Sequence, residues 1–354
     1  MPPLQRPVNL AIFGLGRWGS QLLRNCLALP QARVVAIVDP DPQSLQRWGQ
    51  PGTLPATVSC YTDWQQAMAT PGLDAVVIAT PASTHYRLIR TALAHRYHVL
   101  STKPLTPEPA SSQALCHLAA AQGCQLVVDH TYLFHPAVQR GYQICQQGRL
   151  GPLRYAQASR THLGPIRDDV DVLWDLAIHD LSILWRWLGR WPTRVTARGT
   201  GWLQPQPRLG FPMGLRDVGW VQLTYGDGFQ ATIHSSWVTP DKQRRLVLVG
   251  ERGTLVFDEV QSQPELTLYL SEGATAPPVV RSQPSQAIPL ASVEPLSQLC
   301  CHFLACATSN TASTLSSGWL GTDLVCLLQA ISQSADTGQS VAFTPSNFNI
   351  SPRG

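Results

Sequence analysis

The sequence predicts an α/β domain with a doubly wound parallel sheet, followed by an α+β domain built on a large, mostly antiparallel open sheet. Three observations lead there. Over the first 130 residues, short β-rich runs alternate with helix-like stretches. Strands that are apolar on both faces and separated by amphipathic helices indicate a parallel sheet covered on both sides. From about residue 150 the rhythm changes to strand after strand, with turns such as Tyr225-Gly226-Asp227-Gly228 between them, as in antiparallel hairpins. The length of 354 residues, at roughly 150 per domain, gives about two domains.

In order, strands are expected at residues 9–13, 33–38, 75–79, 98–101 and 125–128, with helices at 18–29, 42–48, 84–95 and 108–122 between them. The parallel-sheet domain is taken as residues 1–130, and residues 131–354 form the second domain. There a helix is expected at 175–188 and strands at 194–202, 218–225, 228–237, 244–249, 254–257 and 265–270. Pro-rich loops interrupt at 204–214 and 276–295, and helical patterns return at 296–307 and 318–334. Trp220, Gln222 and Thr224 alternate with Val221, Leu223 and Tyr225, so this sheet has two different faces. One covers helices. The other is available to a second subunit, which predicts a homo-oligomer, a dimer or tetramer.

Composition narrows the function classes. Hydrophobic residues at 44% support a core, whereas charged residues are only 14%, against about 25% in a typical domain. The net charge is +4 and no Lys/Arg run occurs, so neither nucleic acid nor an anionic membrane is an expected partner. No apolar stretch reaches the roughly 18 residues of a membrane span. The nine cysteines have no C-x-x-C spacing, and Cys300, Cys301 and Cys306 sit in an apolar helical pattern. Buried free thiols are expected, and no metal. Reduced thiols and an N-terminus without a leader pattern point to the cytoplasm.

The first chemical motif is Gly14-Leu15-Gly16-Arg17-Trp18-Gly19, a G-x-G-x-x-G between the first strand and the first helix. Gly14 permits a tight turn, Gly16 lets a pyrophosphate approach the backbone, and Gly19 lets helix and strand pack closely. The helix N-terminus then favours the phosphates. Asp39 ends the second strand twenty positions after Gly19. A carboxylate there bonds the adenine-ribose diol of NAD and repels a 2′-phosphate, while Arg47 leaves NADP open. Thr80 and Pro81 follow the next strand and border the crevice as walls for the nicotinamide half. His85 is either a further cofactor contact or a residue that packs the helix start.

Only two of the 26 basic residues are lysines, Lys103 and Lys242. Lys103 follows a strand, where a crevice residue is expected, and a lysine there can hydrogen-bond a reacting hydroxyl or ketone. Further on, Asp175 and His179 are spaced i and i+4, on one face of a helix. Hydride removal from an alcohol also requires removal of the hydroxyl proton, a task suited to histidine with a carboxylate nearby.

Taken together, the glycine loop, Ala79-Thr80-Pro81 with His85, Lys103-Pro104 and Asp175-x-x-x-His179 resemble the glucose–fructose oxidoreductase/inositol dehydrogenase (Gfo/Idh/MocA) family, in order and over nearly the whole chain. The resemblance implies a Rossmann domain and a sheet domain carrying substrate and oligomer contacts. It implies Lys103 as the Lys-Pro lysine, Asp175 as the substrate-side carboxylate and His179 as the catalytic acid/base. One departure is Thr102, where the family usually has Glu. Residues 163–171 with Trp174 resemble the nucleotide-sugar, UDP-N-acetylglucosamine 3-dehydrogenase-like branch. His130 would then contact substrate, and Arg160 and Arg167 either hold a sugar diphosphate or pair with Asp168, Asp169 or Asp171. Trp174, Trp185, Trp187 and Trp191 read as core or interface rather than as sugar platforms. The expected function is NAD(P)-dependent hydride transfer at a secondary hydroxyl of a sugar, cyclitol or nucleotide sugar. The alternatives are a non-catalytic NAD(H) sensor, or an enzyme that recycles tightly bound NAD within one cycle.

Overall fold

A computed structural model describes residues 6–50, 52–208, 210–260, 265–270 and 285–346. The chain divides into two compact units, residues 1–131 with 293–325 and residues 132–292 with 326–354.

In the first unit the strands are β1 (Val8–Phe13), β2 (Ala32–Val38), β3 (Ser59–Tyr61), β4 (Ala75–Ile78), β5 (His98–Thr102) and β6 (Leu126–Asp129). They form one sheet in the order β3-β2-β1-β4-β5-β6, with every neighbouring pair parallel. Helices α1 (Arg17–Ala28), α2 (Pro42–Trp48), α3 (Trp64–Met68), α4 (Ala82–Ala94) and α5 (Pro109–Gln122) connect them. The apolar runs explain this arrangement. Leu10, Ile12, Ile37, Val76, Val77, Ile78, Val99, Leu100 and Val127 are all fully buried, as parallel strands covered on both faces must be. Helix starts follow local chemistry. The Asp41 side chain accepts from the Gln43 and Ser44 backbone N–H groups, with Pro42 at the first helical position.

The short β3 and α3 were not expected, being too brief to show a period. Nor is the second domain an undivided 131–354. Residues 293–325 return to the first unit, where the helix Pro295–Ser309 packs on α1. Ser316 bonds the edge of β6 both ways, its Oγ donating to the Val128 carbonyl at 2.6 Å and its carbonyl accepting from the Val128 N–H. Cys300 and Cys306 are buried free thiols, as expected.

The second unit opens with a 3-10 turn, Thr131–Phe134, and α6 (Pro136–Gln146), and continues with β7 (Leu153–Leu163). A π-helical turn, Leu173–Ala177, runs into α7 (Ile178–Leu188). Strands β8 (Arg194–Thr200), β9 (Val218–Thr224), β10 (Gln230–Ser236), β11 (Val238–Gly250), β12 (Gly253–Asp258), β13 (Leu266–Leu270), β14 (Ser285–Ala287) and β15 (Val341–Ala342) follow. The sheet order is β14-β13-β12-β11-β7-β10-β9-β8-β15, antiparallel except for the β7–β10 pair. Val221 and Leu223 are buried on one face, whereas Trp220 on the other is 51% exposed. Trp174, Trp185 and Trp187 are core residues. Residues 276–284 of one expected loop, and residue 209 of the other, lie outside the described residues. No helix among the described residues is long and apolar enough to cross a membrane.

Candidate active site

In the first unit the strand order reverses at β1, which lies between β2 and β4. Ligands of such sheets bind beyond the carboxyl ends of the strands at that point. The glycine loop sits there, and its three glycines have separable reasons. Gly14 has φ +87°, and a Cβ on it would lie 2.7 Å from the Ala79 carbonyl oxygen. A Cβ on Gly19 would lie 1.9 Å from the Gly14 carbonyl oxygen. Gly16 has no neighbour within 4 Å of such a Cβ, so it faces open space. It also begins α1 without a side-chain cap, and no acidic residue occupies the first turn. Open space and uncapped N–H groups at a helix start suit a phosphate.

Asp39 closes this cradle. Its Oδ2 accepts from the Leu15 backbone N–H at 2.6 Å and its Oδ1 from the Asp41 N–H at 2.9 Å. Each carboxylate oxygen has a further lone pair for a ribose hydroxyl. Arg47 is exposed on α2, within electrostatic reach of Asp41. Arg17 is exposed, and Trp18 is 44% exposed while its Nε1 donates to the Asp129 carboxylate. These residues therefore fit a dinucleotide.

Farther along the same strand ends, the Thr80 hydroxyl bonds that of Thr84 at 2.7 Å, and Pro81 precedes the first residue of α4. His85 is only 1% exposed. Its Nδ1 faces the Pro104 carbonyl at 2.9 Å, and its Nε2 faces the Thr80 carbonyl at 2.9 Å and the Thr102 hydroxyl at 3.4 Å. This geometry commits both ring nitrogens to the protein and leaves neither to a cofactor. The imidazole clamps the β4 end to the Lys103–Pro104 turn, whose peptide is cis.

Lys103 is half-buried at the end of β5, and Thr102 pairs with Asp129 in register. Its charge reaches both Asp129 and His130. Asp129, a site residue that sequence reasoning missed, accepts from the Thr131 hydroxyl as well as from Trp18. Burial pushes its carboxyl up, against the two hydrogen bonds and Lys103. His130 is 1% exposed, and neither ring nitrogen has a hydrogen-bond partner among the described residues. Burial first, and Lys103 second, press its imidazole down to about 3, so the ring is neutral.

In the second unit, Asp171 caps the turn that carries the other candidates. Its Oδ1 accepts from the Leu173 and Trp174 N–H groups, and its Oδ2 pairs with Arg216 at 2.9 Å. Asp175 lies in the π-helical turn rather than in a regular α-turn with His179, the second residue of α7. The i, i+4 expectation is corrected to that extent. π-turns recur at functional sites, because the wider turn re-aims side chains. Asp175 Oδ1 meets Arg167 Nη1 at 3.3 Å, and Trp237 Nε1 donates to its Oδ2 at 3.3 Å. Arg167 also makes a two-pronged pair with Asp169, at 2.7 and 2.6 Å.

Arg160 is committed elsewhere than expected. It is buried and forks onto Asp180, Nε to Oδ2 at 3.1 Å and Nη2 to Oδ1 at 2.9 Å, while Nη1 donates to the Tyr132 hydroxyl at 2.7 Å. None of Asp168, Asp169 and Asp171 is its partner in these bonds, and the guanidinium edges used here are closed to a diphosphate. His179 is half-buried, its ring centroid 5.0 Å from that of Tyr132. Tyr132, Trp237 and Glu259 were also missed from sequence. Their only signal was polar or aromatic character at the ends of buried strands and turns.

A Rossmann-type unit with an open glycine cradle, followed by a unit built on a nine-stranded sheet, defines a dinucleotide-binding oxidoreductase architecture. The chain belongs to the Gfo/Idh/MocA family: residues 8–130 match its NAD-binding Rossmann domain and residues 138–256 its C-terminal domain. UDP-N-acetylglucosamine 3-dehydrogenase of Acidithiobacillus ferrooxidans is 30% identical over 177 residues, 49% of this chain and 52% of that protein. The matched stretch thus spans about half the length of that relative. A crystal structure from Magnetospirillum magnetotacticum MS-1 matches with TM-score 0.74 and 30% identity, over 91% of this chain and 98% of that one. An inositol dehydrogenase homologue from Azotobacter vinelandii, solved with NADH and myo-inositol, matches with TM-score 0.80 and 20% identity, over 97% and 99% of the two chains, and shows the shared fold.

Proposed function

We propose that the protein is an NAD-dependent dehydrogenase acting on a secondary hydroxyl of a ring substrate, a sugar, cyclitol or nucleotide sugar. The observation that carries this reading is that the carboxyl ends of one parallel sheet hold the open Gly16 cradle, Asp39, Lys103 and a buried His130. The relatives that handle UDP-N-acetylglucosamine and myo-inositol are consistent with that substrate class. Bound NAD supplies the hydride-accepting nicotinamide. Gly14, Leu15, Gly16, Arg17, Trp18 and Gly19 would hold its pyrophosphate, Asp39 the adenine ribose, and Thr80 and Pro81 the nicotinamide half. Asp39 supports NAD over NADP, and Arg47 is the residue that would admit NADP.

In this reading Lys103 hydrogen-bonds the reacting oxygen and stabilises its developing charge. His179 takes the hydroxyl proton, with Asp175 as its substrate-side carboxylate. A neutral His130 offers one donor and one acceptor, the complement of a hydroxyl. Arg160 is removed from the substrate contacts by its pairing with Asp180, and Arg167 retains a role through Asp175. The exposed sheet face around Trp220 and His234, a concavity of about 640 Å³ lined by Trp220, Val221 and Ile233 among others, supports a homo-oligomer through that face. The free thiols support a reducing compartment such as the cytoplasm.

The test is turnover on a panel of cyclitols, aldoses and UDP-sugars. Lys103→Met and His179→Ala are each expected to lower kcat by about 10²- to 10⁴-fold while NADH still binds. Near-normal turnover in either variant overturns the assignment.

A further inference from the structure

We propose that Arg160, Asp180 and Tyr132 form a rigid frame that positions the His179 imidazole. The proposal rests on the reading of His179 as the acid/base, and deepens it by naming what holds the ring.

Three elements supply the frame: the 3-10 turn gives Tyr132, β7 gives Arg160, and the first turn of α7 gives Asp180, the residue next to His179. The Arg160–Asp180 pair is almost wholly out of water, with side chains 3% and 1% exposed. Two parallel N–H···O bonds fix the guanidinium plane as well as its distance. Arg160 then uses its remaining edge and face on Tyr132. Nη1 donates to the hydroxyl at 2.7 Å, and the guanidinium carbon lies 4.4 Å from the ring centroid. The same hydroxyl donates to Glu259, which Arg244 holds from β11 at 3.0 Å. Tyr132 therefore cannot swing without breaking bonds to two buried or half-buried partners.

His179 packs on that immobilised ring, the planes inclined by 60°. Its neighbour in sequence is the carboxylate that Arg160 grips, so the backbone and the ring of His179 are fixed from two directions. A buried ion pair is weak evidence for stability but a known means of specifying one geometry. A proton acceptor has to be held in one orientation, because small misplacements cost large factors in rate. Tyr132, Arg160 and Asp180 are thus positioning residues.

The experiment is carbethoxylation by diethyl pyrocarbonate of the full chain at neutral pH, followed residue by residue by mass spectrometry. His95, exposed at the end of α4, is the internal control. Tyr132→Leu is expected to raise the rate at His179 severalfold and leave His95 unchanged. Tyr132→Phe, which keeps the ring but loses both hydroxyl bonds, is expected to raise it by a smaller factor. Should Tyr132→Leu fail to fold, Arg160→Lys, which keeps the charge but loses the fork, carries the same test. An unchanged His179 rate, or a parallel rise at His179 and His95, overturns the frame. His179→Ala with normal turnover overturns the acid/base reading instead, whatever the modification rates show.

Discussion

The Asp39 carboxylate accepts the Leu15 backbone N–H at 2.6 Å across 24 residues of sequence, so the residue expected to meet the ribose also shapes the loop expected to meet the phosphates. Asp39→Asn keeps one acceptor oxygen and loses the charge and the second acceptor. Hydrogen bonds to a charged group contribute about 1.5–3 kcal/mol, so NADH affinity should fall about ten- to a hundredfold. NADPH should lose less, because the charge that repels its 2′-phosphate is gone. Titration of the eleven tryptophans' fluorescence with each cofactor measures both changes. Equal losses for the two cofactors would show that Asp39 only shapes the loop.

Gly16 and Gly19 should respond oppositely to alanine. At Gly19 the new Cβ meets the Gly14 carbonyl oxygen at 1.9 Å, a backbone atom that cannot step aside. Overpacking of this kind costs about 1–3 kcal/mol or more, so Gly19→Ala should lower the Tm markedly. At Gly16 the space is open and the residue already has φ −60°. Gly16→Ala should shift the Tm by no more than about 3 °C while weakening NADH by about tenfold or more, since the methyl stands where the pyrophosphate approaches. Thermal melts and cofactor titrations on the two proteins separate the effects. Normal NADH affinity in Gly16→Ala would move the phosphate site elsewhere.

These two positions also show what sequence could reach. Fixed spacing made the turn glycines legible, because the backbone at Gly14 and Gly19 excludes a side chain, whereas Asp39, Lys103 and His179 were singled out by residue type and placement. The frame around Arg160 was not legible. Its partner Asp180 is 20 residues away, and Asp168, Asp169 and Asp171 offered nearer carboxylates. Only tertiary packing chooses among them. β7 was missed for a related reason. Its buried positions are Ala156, Ala158, Arg160 and Thr161, two small apolar residues, a charge and a hydroxyl, so the central strand of the second sheet carries no apolar alternation. The π-turn at Asp175 leaves no periodicity of its own in five residues.

His85 is expected to matter for stability more than for cofactor affinity. A neutral imidazole donates to one of the Thr80 and Pro104 carbonyls, so His85→Leu leaves one carbonyl without its donor, at about 1–3 kcal/mol. The denaturant midpoint should fall accordingly. His85→Gln, which can donate to one carbonyl, should lose less. A His85→Leu protein with an unchanged midpoint would show that the imidazole does not clamp the two turns.

His130 should make the protein acid-sensitive. In the folded chain its imidazole is pressed down to about 3 by burial and by Lys103, whereas in the unfolded chain it protonates near its ordinary value of 6.5. The unfolded state therefore binds the extra proton between those values, and stability rises with pH across that window. The contribution is complete above about 6.5 and is lost progressively as the pH falls toward about 3. Buried His98 and His135 are pushed in the same direction by burial and add to the slope. One proton corresponds to about 1.4 kcal/mol per pH unit inside the window. Urea midpoints measured from pH 7.5 down to 4.5 should fall in the wild type, and fall less steeply in His130→Gln, by about one proton. Parallel slopes in the two proteins would mean that His130 takes up its proton alike in the folded and unfolded chains, and that burial and Lys103 do not oppose its charge.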